Sequence, residues 1–211
     1  MRAWLARLFG APATPLRGVR WVVIDCETSG LDPARDQLLS VGAVALREGR
    51  IGAAESFAAT LRQDAASAPD NILVHGIGAD AQLAGRAPRE ALGEFAAFVG
   101  DGVPVAFHAP FDAAVLGRAM AGMAGLPALG KWIDLARLAP VLHPSLKARG
   151  RALDDWIEAF GIRADGRHDA LHDAFATAQL LQVLLAEAER QGSRSVADLR
   201  RLERAGRWTG G

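Results

Sequence analysis

Apolar and polar positions change period along the chain, and the changes mark its elements. Trp21-Val22-Val23-Ile24-Asp25 is a β-branched apolar run ending in a carboxylate, which predicts a strand buried on both faces. Residues 38–46 and 51–61 predict two more strands, joined by Arg47-Glu48-Gly49-Arg50, whose Gly49 suits a hairpin. Behind Pro88, at a first-turn position, Leu92, Phe95, Ala96 and Val99 keep helical spacing. Residues 103–107 predict a short strand, 110–123 a helix, 131–134 a further short strand, and 152–160 a helix stopped by Gly161. Leu171, Ala174, Phe175, Ala178, Leu181, Leu185 and Ala188 trace one face of a long closing helix. Three early strands followed by alternating helix and strand predict an α/β fold, a mixed sheet flanked by helices.

Pro12, Pro15 and Gly18 separate a basic segment, residues 1–19, from a domain spanning 20–190. That segment is short and amphipathic (Trp4, Leu5, Leu8 and Phe9 with Arg2 and Arg7), fit for a partner or phosphate contact at most. Residues 191–211 hold few large apolar groups and are expected to form a peripheral basic tail.

Composition narrows the class. Half of the residues are apolar, so the chain can bury a core, yet its apolar runs are too short to span a membrane. The start lacks the uninterrupted apolar stretch of a secretory signal, and the one cysteine, Cys26, excludes an intramolecular disulfide and a thiolate metal cage. A soluble, cytoplasmic protein is expected. The 24 basic residues are balanced by 24 acidic ones, which argues against coating nucleic acid by bulk charge but not against gripping a strand end. Arginine makes up all but two of the basic residues; base composition of the genome accounts for that more simply than phosphate recognition does.

Four acids stand where a sheet would gather them. Asp25 and Glu27 are one residue apart at the end of the first strand, so period-two alternation points both to one face. Thr28-Ser29-Gly30 follows as a small, turn-prone stretch that a substrate could approach closely. Asp112 opens the helix after the 103–107 strand, and Asp173 sits in the first turn or so of the last helix, where the dipole favours an anion. Four mutually repelling carboxylates call for divalent cations, and hard oxygen ligands select magnesium or manganese. Each piece alone has a plainer explanation: a solvated strand end, a helix cap, a surface cluster. Their order and placement together do not.

These residues resemble the DEDDh family of 3′–5′ exonucleases, the group that contains the proofreading ε subunit of bacterial DNA polymerase III. The first motif is Ile24-Asp25-Cys26-Glu27-Thr28-Ser29-Gly30; the second is Phe107-His108-Ala109-Pro110-Phe111-Asp112; the third is His168-Asp169-Ala170-Leu171-His172-Asp173. Val74-His75-Gly76-Ile77 and Ile133-Asp134-Leu135 match further elements, so the resemblance covers about residues 20–188. Departures are Ala109 where an Asn is usual, Gly78 where a Thr is common, and Cys26 where a Thr or other small residue is usual.

The resemblance implies a ribonuclease H-like mixed sheet of five strands flanked by helices. It implies two Mg²⁺ or Mn²⁺ ions, with Asp25 bridging both and Glu27, Asp112 and Asp173 completing their shells. It makes His168 the base that takes a proton from the attacking water, as befits a residue that titrates near neutrality. Thr28, Ser29 and His75 would hold the terminal nucleotide. Leu31 has two readings, packing on the terminal base or filling the core. Cys26 is expected to pack behind the strand, and Trp156 and Phe160 to be core. His108 has two readings, orienting the second-motif loop or being satisfied in the core, with the core reading preferred. The substrate implied is a single-stranded or frayed 3′ end, DNA favoured, with nucleoside 5′-monophosphate as product. An RNA-trimming enzyme of the same family and a catalytically silent module docking a polymerase are the alternatives. Association with a DNA polymerase is open: no clamp-binding pattern of glutamine, spaced apolar residues and an aromatic occurs in the tail, and a stand-alone exonuclease is equally consistent.

Overall fold

The computed structural model describes residues 14–122, 126–147, 152–164 and 168–206. The amphipathic residues 2–9, the end of the 110–123 helix, the Gly166-Arg167 loop and the last tail residues lie outside these. After a single 3-10 turn at Leu16–Gly18 come β1 (Trp21–Thr28), β2 (Leu38–Arg47) and β3 (Arg50–Thr60). Two short helices, α1 (Pro69–His75) and α2 (Ala79–Leu83), precede α3 (Pro88–Val99) and β4 (Val103–Ala106). The chain continues through α4 (Ala109–Gly122), β5 (Ile133–Asp134), α5 (Leu135–Leu142), α6 (Leu153–Ala159), α7 (Ala170–Arg190) and α8 (Val196–Gly206).

Among the described residues the strands form one mixed sheet of five, ordered β3-β2-β1-β4-β5. β1 pairs antiparallel with β2 and β2 with β3, while β1, β4 and β5 run parallel. The hairpin between β2 and β3 closes through Glu48 and Gly49, both at positive φ (52° and 72°), the turn that matches strand twist.

Alternation along β1 divides the core. Trp21 and Val23 join Val44, Leu46, Ile133 and the buried face of α7 on one side of the sheet. Val22 and Ile24 join Val41, Ala43, Leu92, Phe95, Val115 and Leu116 on the other, under α3 and α4. With helices on both faces, Trp21 to Ile24 are buried on either side, as a central strand requires.

Residues 191–206 differ from the peripheral tail expected of them. α8 docks on the domain through Leu199, which is fully buried, and through Gly206, where an added Cβ would meet the Arg137 carbonyl at 2.4 Å. Val196 and Leu202 pack against the same core at helical spacing with Leu199, a short stripe among charged residues. None of the described helices is long and apolar enough to cross a membrane.

Candidate active site

β1, β4 and β5 end on one edge of the sheet, and the acids gather there. Asp25 and Glu27 share a face of β1, as alternation predicts. α7 runs across that face with its N-terminus at the same edge, bringing Asp173 from its first turn. One carboxylate oxygen from each of Asp25, Glu27 and Asp173 lies within 4.8 Å of the others, an arrangement that could hold a metal ion. Asp173 is buried, whereas Asp25 and Glu27 are half-buried. Three carboxylates this close repel in a partly desolvated site, and a hard divalent cation is the counter-charge their chemistry fits.

The close approach of α7 has a cause on β2. Gly42 lies opposite Asp25, and a Cβ there would meet the backbone of Ala170 at 2.3 Å and of Leu171 at 2.4 Å. No side chain can occupy that position while α7 keeps its seat. Nothing in the sequence singles out this glycine, which sits inside an apolar strand pattern.

Asp112, in the first turn of α4, is 4% exposed and lies against Cys26, outside the group of three converging carboxylates. The Cys26 thiol donates a hydrogen bond to its carboxylate. Burial raises Asp112 to about 7, opposed by that hydrogen bond. Burial first, and then the fields of Asp112 and Asp25, hold the Cys26 thiol well above its usual range, so it stays a donor. Cys26 thus packs behind the strand as expected, with an added polar contact that sequence reasoning missed.

His168 precedes α7 with φ at +66°, its backbone N–H donates to Asp173 Oδ2 at 3.2 Å, and the residue is exposed. His172 turns elsewhere: its Nδ1 lies 2.9 Å from Asp169 Oδ1. His108 departs from its core reading. It is exposed, with φ at +63°, and its backbone N–H donates to Asp134 Oδ1 at 3.1 Å.

The loop after β1 is braced internally. Thr28 Oγ1 donates to the Gly30 carbonyl at 2.5 Å, and Ser29 Oγ donates to Asp36 Oδ1 at 3.2 Å while accepting from Gln37 N–H. Asn71 of α1 donates to the Ser29 carbonyl, joining α1 to this loop. Leu31 is 91% exposed, which removes its core reading, and Leu73 on α1 is 84% exposed. His75 is buried. Its Nδ1 accepts from Ile77 N–H at 3.0 Å and its Nε2 lies 3.2 Å from Ser67 Oγ, a neutral tautomer that burial favours by lowering its pKa. Ile77, rather than His75, borders Glu27 and Asp169 around a cleft of about 200 Å³.

Two acids at the end of β1, a third on the helix that crosses it, and β4 and β5 running parallel beside them make up a ribonuclease H-like fold. A family model described as exonuclease, RNase_T, matches residues 22–181, and the chain belongs to that family. It is 30% identical over 183 residues to DNA polymerase III PolC-type of Thermotoga maritima, covering 87% of this chain and 13% of that protein. It is 32% identical over 185 residues to a DNA polymerase III subunit epsilon-like protein of Rhodobacter capsulatus, covering 85% of this chain and 25% of that one. The chain therefore spans a small part of these relatives. Among solved structures, the nuclease domain of 3′hExo, a DEDDh family member bound to rAMP, superposes with a TM-score of 0.70 at 16% identity, covering 82% of this chain and 94% of that one. Exonuclease X in complex with 5′ overhanging duplex DNA gives 0.66 at 22% identity, covering 87% and 99%.

Proposed function

We propose that the chain is a divalent-metal-dependent 3′–5′ exonuclease that removes the terminal nucleotide of a DNA strand as a nucleoside 5′-monophosphate, in proofreading or end processing. The convergence of the Asp25, Glu27 and Asp173 carboxylates within 4.8 Å, on an exonuclease-family domain, carries this reading. Asp25, Glu27, Asp112 and Asp173 would hold two Mg²⁺ or Mn²⁺ ions, which supply the charge for an in-line phosphoryl displacement. His168 takes the proton of the attacking water. The water oxygen bonds to phosphorus as the bond to the 3′ oxygen of the penultimate nucleotide breaks. The terminal nucleotide is positioned by Thr28 and Ser29, whose hydrogen bonds fix the loop beneath it, and by the exposed Leu31, against which its base packs. In this reading His75 acts as a buried strut, setting the turn that presents Ile77 beside Glu27. Relatives that are polymerase III components make association with a DNA polymerase the partner reading.

The test incubates the protein with a 3′-labelled single strand and magnesium, in paired deoxy- and ribo-oligomers. Release of labelled mononucleotide from DNA, lost with chelator, is expected. Full activity in excess chelator would refute the metal reading, and preferential release from RNA would move the substrate to the ribo class.

A further inference from the structure

The edge of the sheet that gathers the acids continues into a second, basic cleft. It measures about 320 Å³, lies between α4, β5 and α8, and is bordered by Lys131, Asp134, Arg137, Arg200, Glu203 and Arg204. Its position follows from the sheet. Asp134 ends β5 beside Ala106 of β4, and β4 separates it from β1. At about 4.8 Å per strand, it stands about 10 Å across the edge from β1.

The charges of the cleft are unequal, four cations to two acids. Asp134 is already committed: it accepts from His108 and Ala136 N–H groups and pairs with Arg137 at 3.3 Å. Arg200 donates through Nη2 to the Lys131 carbonyl at 2.8 Å, which draws α8 against the approach to β5. Its buried Nε has no acceptor among the described residues. Lys131 and Arg204 are exposed at the rim. Half of these charged groups sit on α8, beyond the residues 22–181 that the family model matches.

We propose that this cleft binds the sugar–phosphate backbone of the substrate strand, upstream of the terminal nucleotide at the acids. This rests on the exonuclease reading for the direction of the strand. Forked arginine donors and a lysine match phosphodiester oxygens, and backbone contacts of this kind hold a strand without regard to sequence. A strand whose 3′ end lies at Asp25 meets α8 within a few nucleotides.

Binding and cleavage are measured separately on the whole chain. Anisotropy of a labelled single-stranded deoxy-oligomer, with calcium in place of magnesium, gives Kd across a salt series. The Lys131→Gln/Arg204→Gln double variant changes only exposed side chains. If both contact phosphate, the slope of log Kd against log salt falls by about 1.4, and binding near 0.1 M salt weakens about 25-fold. The charge-keeping Lys131→Arg/Arg204→Lys variant should retain the wild-type slope. A double Gln variant with unchanged slope, or a charge-keeping variant that loses it, overturns the cleft's role. Binding with the expected slope but no cleavage in magnesium would overturn the exonuclease reading while leaving the cleft standing. A wild-type chain that neither binds nor cleaves overturns both.

Discussion

Gly42→Ala should separate the geometry of the site from the chemistry of its residues, because it adds one methyl group and touches no acid. The new Cβ would lie 2.3 Å from the Ala170 carbonyl and 2.4 Å from Leu171 N, where ordinary contact begins at 3.4 Å. Both neighbours are backbone, so no rotamer change relieves the overlap. The first turn of α7 must lift from the sheet by about 1 Å, and Asp173 and His168 move with it while Asp25 and Glu27 stay on β1. Overpacking of this size costs about 1–3 kcal/mol, a fall in Tm of roughly 2–12 °C for a chain of this length. A 1 Å misplacement in a catalytic constellation costs about 10²-fold in rate. The assay is initial hydrolysis of a 3′-labelled single strand in saturating magnesium, well below the Tm of each variant. Gly102→Ala is the control: its Cβ meets Val22 Cγ2 at 2.6 Å, beside the residues where β1 and β4 begin, at the end of the sheet away from the acids. That variant should lose stability and keep its rate. A Gly42→Ala protein that kept its rate despite a lowered Tm, or two variants losing rate alike, would refute the reasoning.

Asp25→Ala should leave the fold intact and lower the rate by 10²-fold or more, as removal of a catalytic group typically does; retention of a tenth of the wild-type rate would rule out its central role. Asp112, raised to about 7 by burial, favours the folded state below about pH 4, and that contribution is lost as pH rises towards 7. In chelator, the Tm of the wild type should therefore fall across pH 4–7 relative to Asp112→Asn, and parallel Tm curves would show that Asp112 titrates normally. His172→Ala should change the rate little, since its ring pairs with Asp169 rather than facing the acids; a large loss would identify it as the base instead of His168.

The parts of this fold that were legible in the sequence are those that bury a regular stripe. The run Trp21 to Asp25, the hairpin at Gly49, α3 behind Pro88 and the long face of α7 were all readable from period and punctuation. Two acids on one face of β1 followed from alternation alone. The short helices α1 and α2 were not legible, since each has fewer than two turns and α1 leaves Leu73 exposed. α5 was hidden behind its internal Pro140. At the site, residue types pointed to the acids and the histidine, but not to what seats them. Gly42, the Cys26 thiol on Asp112 and the capture of His108 N–H by Asp134 are contacts between segments distant in sequence, on which local spacing has no bearing.

Two histidines share a backbone device, and replacing each by glycine distinguishes what the device does from what the ring does. His108 and His168 both lie in the left-handed region, and each precedes a helix with a buried acid in its first turn. Each gives its N–H to a buried carboxylate, that of Asp134 or Asp173, at 3.1 and 3.2 Å. Left-handed φ costs a non-glycine residue about 1–3 kcal/mol, and a hydrogen bond to a charged acceptor returns about 1.5–3 kcal/mol, so the strained turn is held. Glycine removes the strain and keeps the N–H, at an entropic cost of about 0.4–1 kcal/mol in the unfolded chain. His108→Gly and His168→Gly should both fold with a Tm at or above that of wild type. Their rates should part: His108→Gly stays near wild type, because its backbone sets the loop, whereas His168→Gly loses about 10²–10⁴-fold with the proton acceptor gone. If His108→Gly lost as much rate as His168→Gly, the His108 ring would belong to the site. If His168→Gly kept its rate, the histidine of the third motif would serve the backbone alone, and the base would have to be sought elsewhere along the edge.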